Sequence, residues 1–243
     1  MSPADRPNRP RQTPVSTTAA RTDRILVPLD GSRLAETAIP IAARLAEACG
    51  AAITLLHVIE KAAPSSIHGE PHLAKGAEAD AYLERLAKRL ASGGRTVDYH
   101  VHEVPVGDVA RSIAGHADEQ ASDVVVMSTH GAGDLRRGLW GSNAQRVLQI
   151  CRRPVLLVRT ERVPPVPPPF EPATIMVPLD GTVAAEAALP LAAKLARALG
   201  AQLRLVMVVP TLETGAGDHQ PRATFLPGTT RGLLALQQEQ ATA

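Results

Sequence analysis

At 243 residues the chain is long enough for one or two domains. Its 44% apolar and 21% charged residues allow a sizeable core, while only 2% aromatics excludes a ring-stacking surface for single-stranded nucleic acid. A net charge of +2 is too slight to imply nucleic acid or a membrane as partner, and no stretch approaches the roughly 18 apolar residues of a membrane helix.

In chain order, residues 1–23 are rich in Pro, Thr, Ser and Arg, lack a continuous apolar run, and are expected to be a disordered tail rather than a signal peptide. Order begins at Arg24. Ile25–Leu29 is an apolar run ending in Pro-Leu-Asp-Gly, which predicts a buried strand and a turn. Ser32 is an N-cap candidate. Leu34, Ala38, Ile41, Leu45 and Ala48 then recur at helical spacing up to Gly50, with a kink expected at Pro40. Ile53–Ile59 predicts a second buried strand, and 60–72 a loop.

A helix is expected over Leu73–Leu90, with Tyr82, Leu83, Leu86 and Leu90 on one face and Gly93-Gly94 as its stop. Val97, Tyr99 and Val101 alternate with Asp98, His100 and His102, the pattern of a strand at a sheet edge. His100 and His102 share one face, but no further ligand has convincing spacing, so the sequence gives no metal site. His57 is expected at the edge of the core. Asp108–Gln120 predicts a short helix, Asp123–Met127 a central strand, Ser142–Cys151 a helix and Val155–Val158 a last strand. Strands and helices thus alternate five to four, the pattern of an α/β, open, doubly wound parallel five-stranded sheet.

Thr160–Pro172 holds six prolines and reads as a stiff linker. Beyond it the chain repeats itself. Residues 24–58 match 174–208 without gaps, at an offset of 150 positions (174 − 24), including Pro28, Asp30 and Gly31 against Pro178, Asp180 and Gly181. The second copy, 173–243, has room for strand–helix–strand, with one weak helix around Leu233–Gln238, and carries no glycine loop. Its open strand edges lead us to expect 174–209 to dock on the first unit or on another chain. Cys49 and Cys151 fall in helical segments without a CxxC or Cys/His cluster, which fits a reducing cytoplasm.

The chemistry is concentrated at 128–142. Gly131, Gly133, Gly138 and Gly141 lie between a buried strand and a helix, and glycines let backbone N–H groups approach an anion closely. Ser142 opens the helix, where free N–H groups and the positive dipole end favour phosphate. Hydrogen bonds to a charged acceptor contribute roughly 1.5–3 kcal/mol each. Several together reach the roughly 8 kcal/mol of micromolar binding. No GK[ST] is present after the glycines, so this is not a Walker loop. The glycines alone are equally compatible with a surface loop of ordinary turns. If the first strand neighbours the fourth, Asp30 faces this loop across a switch point. There it could accept from ribose hydroxyls or the adenine amine, or it could simply cap the turn into the next helix. His130 reads as a backbone contributor with an exposed ring, Trp140 as packing, and Arg136 and Arg137 as either phosphate partners or exposed loop cations.

ILVPLDGS at 25–32, LLHV at 55–58 and this loop resemble the universal stress protein family. Members that bind ATP carry G-x-x-G, nine residues, then G-[S/T]. Here the frame is Ser128-Thr129-His130-Gly131, nine residues, then Gly141-Ser142, with Ser128 in place of the first glycine. If that position needs a positive φ, serine costs roughly 1–2 kcal/mol; otherwise it is harmless. The resemblance spans 24–159, with a partial match at 174–209, and implies sheet order 3-2-1-4-5. It implies that Pro28, Asp30 and Val58 surround adenine and ribose. Met127, Ser128, Thr129, His130, Gly131, Ala132, Gly133 and Asp134 would wrap nucleoside and phosphates. Gly141, Ser142, Asn143 and Ala144 would hold phosphates at the helix start.

It further implies ATP, with or without Mg, as the ligand, AMP as the related nucleotide, a homodimer through Val155–Val158, and a cytoplasmic stress-response role. No nucleophile–base pair marks an enzyme beyond slow ATP hydrolysis. Two other readings stay open: a nucleotide-free dimerisation or partner-docking module of the same fold, and an adenylating ligase.

Overall fold

The computed structural model describes residues 23–60, 66–67, 70–71, 73, 75–105, 109–129, 142–159 and 169–207. The tail 1–22, most of the proline-rich segment and the helix expected near Leu233–Gln238 lie outside them.

The first unit runs β1 (Arg24–Leu29), α1 (Ala38–Cys49), β2 (Ala52–Glu60), a two-stranded ladder of β3 (Ser66–Ile67) with β4 (Glu70–Pro71), α2 (Gly76–Ala91), β5 (Val97–Val104), α3 (Val109–Glu119), β6 (Val124–Ser128), α4 (Ser142–Ile150) and β7 (Val155–Val158). The five long strands form one sheet in the order β5-β2-β1-β6-β7. All four pairings are parallel. Leaving the small ladder aside, this is the expected 3-2-1-4-5 order.

The sheet separates two apolar clusters because its strands alternate faces. Ile25, Val27, Leu29, Ile53 and Leu55 pack with α1 and α2. Leu26, Leu56, Val58, Val125 and Met127 pack with Ala110, Ile113 and Ala117 of α3 and Ala144 and Val147 of α4. At the end of the sheet away from the cleft, Arg24 ties three strands together. Its guanidinium donates to Thr54 Oγ1 at 2.9 Å and to Asp98 Oδ2 at 3.2 Å.

The first helix differs from its expected form. A 3-10 turn, Ala35–Thr37, precedes α1, and the buried face is Ala38, Ile39, Ala42, Leu45 and Ala46 rather than the spacing that starts at Leu34. Pro40 therefore sits in the first turn of α1, where a missing N–H breaks no helical hydrogen bond, and it marks a helix start instead of a kink. The second unit repeats the device: α5 (Val183–Glu186) is followed by α6 (Leu189–Leu199) with Pro190 in its first turn. The loop 60–72 contains the β3–β4 ladder, a turn too short to show a periodic signal.

The second unit is β8 (Thr174–Leu179), α5, α6 and β9 (Gln202–Met207), with β8 and β9 parallel. It meets the first unit through α6 and α1. Phe170, Leu195 and Leu199 pack against the α1 side of the first core, and Lys194 pairs with Asp23. The second unit thus lies against the first as expected, but through α6 and not through its open strand edges: among the described residues β8 and β9 pair only with each other.

Candidate functional site

β1 is bordered by β2 on one side and β6 on the other, so the connections from these strands leave in opposite senses and open a crevice above their carboxyl ends. An open cleft of about 570 Å³, measured out to solvent, lies there. Pro28, Leu29 and Asp30 enter from β1, Leu56 and Val58 from β2, and Met127 and Ser128 from β6. Val109 and Ile113 of α3 close one wall, and Asn143 and Ala144 stand at the start of α4. The lining is mostly aliphatic, with one carboxylate, one amide and one hydroxyl, the mix of a site that buries a flat body and orients it through a few polar groups.

Seven of the residues singled out in the sequence meet in this cleft: Pro28, Asp30, Val58, Met127, Ser128, Asn143 and Ala144. Thr129 does not. It is buried, and its backbone N–H donates to the Val158 carbonyl at 2.9 Å, which makes it an anchor between β6 and β7. Ser142 is the first residue of α4. His130, Gly131, Ala132, Gly133, Asp134 and Gly141 lie outside the described residues, as do Arg136, Arg137 and Trp140. Leu29, Ala35, Leu56, Val109 and Ile113 also line the cleft, although no motif in the sequence marks them. Leu56 stands two before Val58 on the same strand face, and Val109 and Ile113 share a helix face at i, i+4, so the two periodicities could have found them.

Ser128 ends β6 opposite Val158. Among the described residues Ala121 is the one non-glycine with positive φ, so Ser128 is not in the left-handed region. Serine in place of glycine therefore brings no backbone strain there.

Asp30 has a structural duty as well as a place in the cleft. Its Oδ1 accepts from the Ser32 N–H at 2.9 Å, and the buried Ser32 hydroxyl accepts from the Ala35 N–H at 3.1 Å. Together they fix the turn from β1 into the 3-10 helix. Asp180 does the same in the second unit, with Thr182 N–H at 2.9 Å and the Thr182 hydroxyl at 2.7 Å donating to it. The Thr182 hydroxyl and N–H hold the Asp180 carboxyl below its ordinary range. The turn thus recurs where the sequence carries no glycine loop.

Gly31 has φ +88°, and a Cβ there would stand 2.8 Å from Leu73 Cδ1. Leu73 is in turn held by His57. That ring is fully buried, not at the core edge as expected, with Nδ1 2.8 Å from the Leu29 carbonyl and Nε2 3.1 Å from the Leu73 carbonyl. A histidine in a largely apolar strand becomes intelligible only when the two carbonyls that it bridges are known.

These features define a class: a doubly wound α/β domain with an open cleft at its switch point, followed by a second unit that repeats the strand–helix–strand with which the first begins. The model of the "Universal stress protein family" matches residues 21–159 and again 173–241, and the chain belongs to that family. Universal stress protein Sll1654 of Synechocystis is 33% identical over 134 residues, spanning 55% of this chain and 83% of that protein. A universal stress protein structure from Archaeoglobus fulgidus covers 91% of this chain and 75% of its own, with TM-score 0.60 and 19% identity, which shows a shared fold across both units. A universal stress protein solved in complex with cAMP is 24% identical, covering 57% of this chain and 98% of its own, with TM-score 0.43. No helix among the described residues is long and apolar enough to cross a membrane.

Proposed function

We propose that the first unit binds one nucleotide, ATP, in the cleft between β1, β2, β6 and α4, and that the chain acts as a cytoplasmic stress-response regulator. The observation that carries this reading is the convergence of Pro28, Asp30, Val58, Met127, Ser128, Asn143 and Ala144 on one cleft at the switch point. The donor set suits the ligand. Leu56, Val58, Met127 and Ile113 offer an apolar slot for a planar base. Asp30 keeps one carboxylate oxygen, Oδ2, beyond its turn bond to accept from ribose hydroxyls or an exocyclic amine. The start of α4, with Asn143 beside it, offers N–H groups and a positive dipole end to phosphate.

ATP brings negative charge to those donors, and Mg, where it accompanies the phosphates, would offset that charge. His130, Gly131, Ala132, Gly133, Asp134, Gly141 and Ser142 complete the proposed phosphate cradle. The residues that line the cleft supply binding and orientation, and hydrolysis is slow or absent on this reading. Titration of the full chain with ATP and with AMP tests it. Saturable binding that Gly131→Val abolishes supports the reading, and an affinity weaker than about a millimolar (about 4 kcal/mol) contradicts it.

A partner-docking role is the second reading, favoured by the exposed side chains of Met176, Leu205 and Met207 on the small sheet. Among the described residues β7 also ends the main sheet with one unpaired side, and we propose it as the strand through which two chains pair as a homodimer.

A further inference from the structure

The sequence places His100 and His102 on one face of edge strand β5. The fold adds a third histidine, His116, from the neighbouring helix. Asp98, His100, His102 and Val104 share the face of β5 that turns toward α3, and Val104 packs into the α3 cluster. Val104 thus sets the register that brings His102 against His116. His102 Nδ1 and His116 Nε2 are 3.3 Å apart, and the two rings meet edge to face with centroids at 4.8 Å. The His100 ring centroid is 6.4 Å from that of His116, and His100 and His102 are both exposed.

The protonation pattern is set by one contact. His116 Nδ1 stands 2.9 Å from the Ser112 carbonyl oxygen, which can only accept, so Nδ1 carries the hydrogen, and in the neutral ring Nε2 keeps its lone pair. A backbone carbonyl on the far nitrogen is the arrangement that orients a metal-binding histidine and raises its basicity. Two nitrogens bound at about 2.0–2.1 Å to one tetrahedral ion stand about 3.3–3.4 Å apart. The pair already has that spacing. Among the described residues no group of three or more His, Cys, Asp or Glu side chains is gathered to hold an ion. The coordination is therefore an open one, two imidazoles with water in the remaining positions.

We propose that His102 and His116 form a binding site for a borderline divalent cation of the zinc type, bridging β5 and α3. Without the ion, His102 Nδ1–H donates to His116 Nε2. With it, the His102 hydrogen moves to Nε2 through solvent, both facing nitrogens bind the ion, and no net proton is released. Imidazole nitrogens select zinc, nickel or copper over magnesium, so this site is independent of any magnesium that accompanies a nucleotide. It lies on the α3 side of the sheet edge, and neither histidine lines the cleft.

The test titrates the nucleotide-free full chain with zinc chloride in a non-chelating buffer, monitoring heat and, separately, the melting temperature. One ion per chain binds at this site, and zinc raises the melting temperature because it binds only the folded arrangement. His102→Ala and His116→Ala each weaken that binding by about tenfold or more. Both side chains reach the surface, so circular dichroism without zinc stays that of the wild type. Wild-type zinc affinity and melting shift in the His102→Ala/His116→Ala double variant overturn the proposal.

Discussion

The two units begin from nearly the same strand, turn and helix, yet they bury them differently. β1 is buried along nearly its whole length, whereas in β8 one position, Val177, is buried. Leu26 is 0% exposed and its counterpart Met176 is 59% exposed; Leu55 and Leu205 are 0% and 53%. The cause is not local. Leu26 is covered by α3 and α4 and flanked by β6, and among the described residues the second unit has no counterpart of these. Val177, on the α6 face, is 4% exposed, while its register partner Leu205 on that face is exposed, because its counterpart Leu55 shares a cluster with α2 residues and the second unit has no counterpart of α2 among the described residues. A repeat thus carries its backbone geometry in its own residues, but its core depends on the strands and helices contributed by later parts of the chain.

The largest way to test this contrast is to empty both positions. Leu26→Ala should destabilise the first unit by about 2–5 kcal/mol in urea unfolding, while Met176→Ala should stay within about 0.5 kcal/mol. Equal effects would mean that the second sheet is covered as well as the first.

The glycine turns offer a smaller contrast. Gly31→Ala meets both a left-handed φ and Leu73, whereas Gly50→Ala, at φ +66° with open space around it, meets only the first. We expect Gly50→Ala to cost roughly 1–2 kcal/mol and Gly31→Ala measurably more, with the excess removed by Leu73→Ala.

The docked face can be probed through Cys49, which sits at the end of α1 beside Lys194. Burial pushes its thiol above the ordinary value, and the nearby Lys194 only partly offsets this. A raised value means less thiolate at neutral pH, so Cys49 should alkylate slowly, and faster as pH rises. Leu195→Ala with Leu199→Ala should loosen α6 and speed that reaction; an unchanged rate would mean that α6 does not cover the thiol. Lys194→Met, which breaks the half-exposed pair with Asp23, should cost less than about 1 kcal/mol.

Much of this was legible in the residues themselves. Continuous apolar runs marked β1, β2 and β6, and the alternation at 97–102 marked β5 as an edge. The turn Pro-Leu-Asp-Gly pointed to Asp30, and the resemblance of 25–32, 55–58 and 128–142 to the universal stress proteins supplied the seven residues that meet in the cleft. What stayed hidden depends on contacts between distant segments. His57 could not be placed without the Leu29 and Leu73 carbonyls, nor His116 beside His102 without the register of β5 on α3. Thr129 looked like part of the loop because its bond to Val158 joins strands 29 residues apart. Pro40 reads as a kink by periodicity and becomes a helix start only once the preceding 3-10 turn is seen.

The contrast between the units bears most directly on the nucleotide. Asp30 and Asp180 hold the same turn, but only Asp30 lines the cleft, so the two carboxylates separate a turn effect from a ligand effect. Calorimetric titration of ATP into the wild type, Asp30→Ala and Asp180→Ala is the decisive measurement. We predict one ATP per chain in the wild type, loss of binding in Asp30→Ala and wild-type binding in Asp180→Ala. No saturable binding to the wild type, or equal losses in the two variants, would contradict a nucleotide site in the first unit.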